Sequence, residues 1–240
     1  MRPTAAGVPP GIRQLLLLLL LGCLLPGALS SVALVIHQYR EAAAQAESGT
    51  RQTAKALVQS VDNRLEQAVV LGQSLAASET LARGDLASFH HEAANAIRKL
   101  PIATNVLLLD RSGQQLMNTA VPFGQALPRS TNEAIERTFV SRQAVVSNLF
   151  VGELLHQPIV AAIIPVLRRR EVVQVLAIGI LVPQFNQLLA LQRLPPDWRV
   201  AVLDGAGTFV ARTHDPGSFV GQKPPAELLQ ALATQDVGTL

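Results

Sequence analysis

From Gln14 to Gln38 the chain carries no Asp, Glu, Lys or Arg, and the run Leu15–Ile36, "LLLLLLLGCLLPGALSSVALVI", is apolar almost throughout. At about 1.5 Å rise per residue such a helix spans a hydrocarbon core of about 30 Å. Pro26 and Gly27 are tolerable inside it. A cleaved signal peptide would use "ALSS", but the apolar run resumes at once in "VALVI". A lipoprotein signal ending at Cys23 calls for polar residues next, and Leu24 and Leu25 follow instead. An uncleaved membrane helix is the preferred reading of the three.

The pattern then becomes amphipathic. Apolar residues recur in steps of three and four at Ala54, Leu57, Val61, Leu65, Ala68, Leu71 and Leu75, predicting one long helix with a narrow apolar seam. The seam suits packing within the helix's own domain, a dimer contact continuing the membrane helix, or both. Gly84 interrupts the pattern. Asp85 is a cap for a second helix, with Leu86, Phe89, Ala93, Ile97 and Leu100 as its buried face and Pro101 as its end.

Next comes a β-rich run, "TNVLLLD", a turn, "DRSG", and a returning strand, "QQLMNT". Asp110 offers the turn a side-chain acceptor, and Gly113 takes its positive-φ position. The loop "AVPFGQALP" leads to a helix in "STNEAIERTFVSR", where the Ser/Thr opening and Glu133 form a capping signal. Three strands follow in "QAVVSNLF", "QPIVAAIIPVL" and "VVQVLAIGILV". The last two form a hairpin around "RRRE" and are apolar enough to be buried on both faces. The helix "PQFNQLLAL" and the break at Pro195 and Pro196 close the unit. Residues 102–192 therefore predict a single antiparallel sheet with helices to one side.

From Trp198 the text repeats. "VAVLDGAGTFVART" (Val200–Thr213) matches "VLLLDRSGQQLMNT" (Val106–Thr119) in Val, Leu, Asp, Gly and Thr at five places. A loop, "HDPGSFVGQKPP", and a helix, "AELLQALA", come after it. The chain stops at "QDVGTL", where a further strand is due. Two strands and one helix bury no sheet face alone. The expectation is two similar lobes in tandem, the second unfinished and the chain a piece of a longer reading frame.

Residues 38–240 resemble the double Cache sensor domain, a tandem of PAS-like lobes, of bacterial transmembrane receptors. The most specific pieces are "NVLLLDRSGQQLMNTAVPFGQALP" and "WRVAVLDGAGTFVARTHDPGSFVGQ". The predicted class is α+β, with a transmembrane helix and a long stalk helix before two antiparallel-sheet lobes, the second truncated. The implied division is a cytoplasmic start (1–13), a membrane helix (14–37), stalk and N-terminal sensor helices (38–101), a membrane-distal PAS-like lobe (102–194) and the start of a membrane-proximal lobe (195–240). The resemblance implies ligand binding in the first lobe and a longer parent protein, foremost a two-component sensor histidine kinase. Diguanylate cyclases and chemoreceptors are the alternatives within that reading. A periplasmic binding module released by cleavage near Ser30 is the alternative from another class.

Charge adds orientation. Arg2 and Arg13 precede the apolar run, whereas Arg40 after it is offset by Glu41 and Glu47, which places residues 40–240 outside the cytoplasm; the resemblance implies that the membrane is a bacterial inner membrane. The net charge of +3 comes without a basic stripe interleaved with aromatics, so nucleic acid is not an expected partner. Cys23, the only cysteine, is expected in lipid and leaves nothing to cross-link. None of the five histidines has metal-ligand spacing. The adjacent His90 and His91 read as solvated or capping. There is neither a "GxSxG" elbow nor a phosphate-gripping glycine loop. No catalytic residue, cofactor or metal is expected, and a hydrolase lacks a nucleophile–base pair. Arg168–Arg170 reads as a charged hairpin tip.

Binding remains. The resemblance places a pocket between the first sheet and the loop and helix after its hairpin, which maps here onto Asn118, Thr119, Phe123, Arg142, Ser147, Asn148 and Phe150. Arg142 could grip a carboxylate in bidentate fashion; the plain alternative is a surface arginine at a helix C-terminus. With one Tyr (Tyr39) and one Trp (Trp198), an aromatic cage around an amine cannot be built in the first lobe. The expected partners are the lipid bilayer, a small solute such as a carboxylate, or no small ligand at all, rather than an amino acid or quaternary amine, and a second copy of the chain along the stalk.

Overall fold

The computed structural model describes residues 12–192 and 194–234. Of the described residues, those up to Thr53 belong to one unit and those from Ala54 onward to another. Helix α1 (Ile12–Ala76) contributes to both, and its backbone is helical through the whole Leu15–Ile36 run. Most side chains of that run, Cys23 included, lie outside the described residues, as do Arg2 and the "QDVGTL" end. Among the described residues no helix is long and apolar enough to cross a membrane.

In the second unit the apolar seam of α1 lies where its periodicity puts it. Leu57, Ala68 and Leu75 are buried and Val61, Leu65 and Leu71 partly so, while Ala54 is exposed. Gly72 sits on the same seam, and a Cβ there would lie 2.4 Å from Ile164 Cδ1. The helix backbone therefore rests directly on a sheet side chain. After a short α2 (Glu79–Ala82), Asp85 caps α3 (Leu86–Ile97) by accepting the Ser88 N–H at 3.0 Å. Ser78 Oγ donates to Glu92 at 2.8 Å, and Thr80 donates to the same carboxylate, which fastens the α1–α2 corner to α3.

The main sheet is antiparallel. Its strands are β1 (Asn105–Leu109), β2 (Gln115–Asn118), β3 (Val145–Val146), β4 (Phe150–Val151), β5 (Pro158–Arg168) and β6 (Glu171–Leu181). They run in the order β2-β1-β6-β5-β3, with β4 also on β5. One face carries Val106, Leu108, Ile164, Leu176 and Ile178, packed with α1, α3 and α5 (Val182–Leu191). Each such side chain contributes about 1.5–3 kcal/mol by burial. The opposite face carries Leu109, Ile163 and Ala177 and is covered by Ala134 and Ile135 of α4 (Glu133–Ser141).

Three local expectations change. Helices cover both faces rather than one, because strands apolar on both sides need cover on both. The "QAVVSNLF" strand is split into β3 and β4: Ser147 Oγ accepts the Ala161 N–H at 2.9 Å and donates to Asn148 O at 2.8 Å, and one extra residue enters before pairing resumes at Phe150. The cap of α4 is Asn132, whose Oδ1 accepts the Ala134 N–H at 2.8 Å; the hydroxyl of Ser130 is engaged elsewhere. The β5–β6 hairpin turns through Arg169 and Arg170, with φ of 49° and 72°. A two-residue hairpin turn of type I′ has positive φ at both residues.

The repeated hairpin, β7 (Ala201–Leu203) and β8 (Phe209–Arg212), forms a separate two-stranded sheet. It does not stand alone: Val210 and Ala211 join the core that contains Phe185 and Leu189 of α5. Asn186 Oδ1 accepts the Arg212 N–H at 3.1 Å. Helices α6 (Pro216–Phe219) and α7 (Ala226–Thr234) follow.

Candidate functional site: a polar chain beneath the first sheet

Alternation along β1 places Asn105, Leu107 and Leu109 on one face. Leu107 pairs with Asn118 and Leu109 with Gln115 across a one-residue bulge, so Asn118 and Gln115 share that face. Three amides thus stand on a sheet surface that is otherwise apolar. The loop before α4 adds Ser130, and the segment after β4 adds Glu153.

These five side chains form one directed chain of hydrogen bonds. Asn105 Nδ2 donates to Asn118 Oδ1 at 3.0 Å, and Asn118 Nδ2 to Gln115 Oε1 at 2.9 Å. Gln115 Nε2 donates to Ser130 Oγ at 2.9 Å, and Ser130 Oγ to Glu153 Oε2 at 2.8 Å. Each donor points toward the carboxylate, and bonds aligned in this way polarise one another. At the other end Asn105 is only 3% exposed, and its Oδ1 accepts no hydrogen bond. A Cβ at Gly179 would lie 2.3 Å from that oxygen, so the pairing strand must present glycine there.

The chain borders a cavity of about 30 Å³, walled by Leu107, Ile135, Phe150, Leu154, Ile159 and Ala177 among others. At about 10–15 Å³ for each water, that volume holds about two water-sized groups. No Lys, Arg or His lines it.

Of the seven residues named from the sequence, the cavity gathers Asn118 and Phe150. Thr119 Oγ1 accepts the Val106 N–H at 2.8 Å and closes the hairpin. Ser147 serves the β3–β4 break, and Asn148 is exposed. Phe123 is 45% exposed, with its ring 5.9 Å from that of His90. Arg142 is exposed and caps the C-terminus of α4 in the left-handed region, its N–H donating to Thr138 O at 3.0 Å. The plain alternative is where it stands, away from the cavity wall.

Asn105, Gln115, Ser130 and Glu153 were not singled out from the sequence. For Asn105 and Gln115 the signal is an amide at a strand position where period two calls for an apolar side chain. Glu153, in an irregular segment, carries none. His90 also departs from expectation. It is buried, not solvated, and its Nε2 lies 2.9 Å from Val121 O and 3.3 Å from Asn118 O. Its helical phase with Leu86, Phe89, Ala93 and Ile97 accounts for that. His91 is exposed.

Two carboxyl groups, Asp110 in the turn of the first hairpin and Asp85 at the cap of α3, are held below the usual carboxylate range. Hydrogen bonds from Ser112, led by its hydroxyl, hold the Asp110 carboxyl below the usual range, against a smaller opposing effect of burial. The Ser88 hydroxyl and N–H do the same for Asp85. Among the described residues no group of three His, Cys, Asp or Glu side chains could hold a metal ion.

No protein-family model matches the chain, and no curated protein matches it in sequence. Solved structures do match. The ligand-binding domain of Campylobacter jejuni chemoreceptor Tlp3, in complex with L-valine, superposes with a TM-score of 0.59 at 12% identity, covering 80% of each chain. The sensor domain of the V. cholerae histidine kinase DctB gives 0.57 at 11%, covering 79% of this chain and 76% of its own. The ligand-binding domain of Pseudomonas aeruginosa chemoreceptor PctC, in complex with GABA, gives 0.56 at 16%, covering 75% and 80%. The chain therefore shares the α+β fold of these ligand-binding and sensor domains.

Proposed function

We propose that this chain is the extracytoplasmic ligand-sensing region of a membrane-anchored bacterial signal-transduction receptor. The carrying observation is a shared sensor fold together with a cavity bordered by a buried polar chain on the face of the main sheet under α4. The parent is read as a two-component sensor histidine kinase. Chemoreceptors are the second reading, favoured by the Tlp3 and PctC likenesses. Residues 102–194 are the membrane-distal lobe of a double Cache tandem, and residues 195–240 begin the membrane-proximal lobe. Support for the tandem comes from the second hairpin, which forms its own sheet.

The Leu15–Ile36 run is the anchor in this reading, by its length and lack of charge. Protease added to intact spheroplasts should digest residues beyond the anchor without lysis of the cells. Full protection until lysis would reverse the orientation. A pairing of two copies along the stalk belongs to the same reading.

The ligand is a small solute. Tlp3 and PctC were solved with L-valine and GABA, whereas a free carboxylate at this cavity would meet no cation. Binding shifts the population between two arrangements of the lobe, to the extent that the solute binds them with different affinity. Thermal unfolding across a panel of small solutes tests this. At least one should raise Tm for the native chain and fail to do so for Ala177→Val, which fills the cavity. If every solute acts alike on both proteins, the cavity is not a sensing site.

A further inference from the structure

The polar chain has a direction, and the direction selects a ligand. Asn105, Asn118, Gln115 and Ser130 each spend a donor on the next member, and Glu153 receives the last. All four links point one way because the terminal carboxylate can only accept when ionised. The head of the chain must then expose an acceptor, and it does: Asn105 Oδ1 is buried and unpartnered. An unpaired buried carbonyl oxygen costs about 1–3 kcal/mol, which a ligand N–H would offset.

Reversing the chain to present a donor at Asn105 would require Glu153 to donate. It would also turn Asn118 Oδ1 away from the Ala120 N–H, which it accepts at 3.0 Å. The amide orientations are thus fixed at both ends. A carboxylate or phosphate group at this place would face a carbonyl oxygen and a carboxylate with no cation among the wall residues.

We infer that the cavity takes a small solute bearing N–H donors and no negative charge, an ammonium or a primary amide, received by Asn105 Oδ1. This rests on the cavity being the sensing site and names the chemistry of what it senses. It also departs from the carboxylate expected when Arg142 is placed in the pocket.

Three probes small enough for a cavity of about 30 Å³ and its immediate margin separate the possibilities: methylammonium chloride, formamide and sodium formate. Formamide and formate have nearly the same shape and differ in presenting N–H or only oxygen. Thermal unfolding of the full chain in mild detergent, at matched ionic strength, is the readout. Methylammonium and formamide should each raise Tm by about 2–4 °C once several-fold above their Kd, and formate should not. Glu153→Gln, a partly exposed and near-isosteric change, should weaken the methylammonium response severalfold and leave that of formamide. Asn105→Leu should remove both responses; if that variant does not fold, Ala177→Val serves in its place.

Stabilisation by formate that Ala177→Val removes would overturn the inference and leave the sensing reading intact. Stabilisation by the two N–H donors that survives both cavity variants would place their binding elsewhere and also overturn it. If none of the three probes moves Tm, the inference fails, and the wider solute panel then decides the sensing reading separately.

Discussion

Asp110 and Asp204 do the same work ninety-four positions apart. Asp110 Oδ1 accepts the N–H groups of Ser112 and Gln114 at 2.8 and 3.1 Å; Asp204 Oδ1 accepts those of Ala206 and Thr208 at 3.0 and 2.8 Å. Gly113 and Gly207 supply φ of 82° and 75°. Thr119 and Thr213 accept the N–H of Val106 and Val200 at 2.8 and 3.1 Å. This was legible in the sequence because every bond is local to one hairpin. The polar chain was not, since it joins residues from two strands and two loops and only tertiary placement brings them together. Asp110 also gives a pH prediction. Its folded pKa lies below the unfolded value of about 3.9, so its stabilisation is present above that value and is lost as pH falls through the folded pKa. Melting temperature measured from neutral pH down through the carboxylate range should drop more gently for Asp110→Asn than for the native chain. An identical slope would mean the turn carboxylate is not linked to folding.

At the scale of elements, the packing of α1 on the sheet is closest at Gly72, where added atoms meet Ile164 and Ile178. Gly72→Val should destabilise the second unit by about 1–3 kcal/mol through overpacking, despite replacing a poor helix former; urea unfolding measures it. A neutral or stabilising result would mean the helix can lift from the sheet. The seam of α1 and the buried face of α3 followed from period, as did the β5–β6 hairpin. The division of "QAVVSNLF" into β3 and β4 did not, because it depends on a serine hydroxyl taking over a ladder bond. That break matters for the cavity. Leu149, next to the cavity residue Phe150, donates its N–H to Asp204 Oδ2 at 2.9 Å, so the turn of the second hairpin holds the segment that walls the site. Asp110 makes no equivalent long-range bond among those of its carboxylate.

For the whole molecule, the sensor fold followed from the order of elements and from the repeated hairpin, even though identity to the matching structures is only 11–16% across the three compared. What this chain's own fold needs is legible in it: turn acceptors at Asp110 and Asp204, glycines at positive φ at Gly113 and Gly207, and the doubly buried strands β5 and β6. Of the pocket residues mapped by resemblance, Asn118 and Phe150 line the cavity under α4, whereas Arg142 lies outside its wall at the C-terminus of α4. The central claim is that a solute enters under α4 and is felt by the segment fastened to Asp204. Hydrogen–deuterium exchange of the native chain, with and without the solute giving the largest rise in Tm, tests it most directly. The account predicts slowed exchange in peptides covering 105–118 and 149–157, with a smaller change around 204–208. Protection confined to α1 or to α7, with those peptides unchanged, would contradict it.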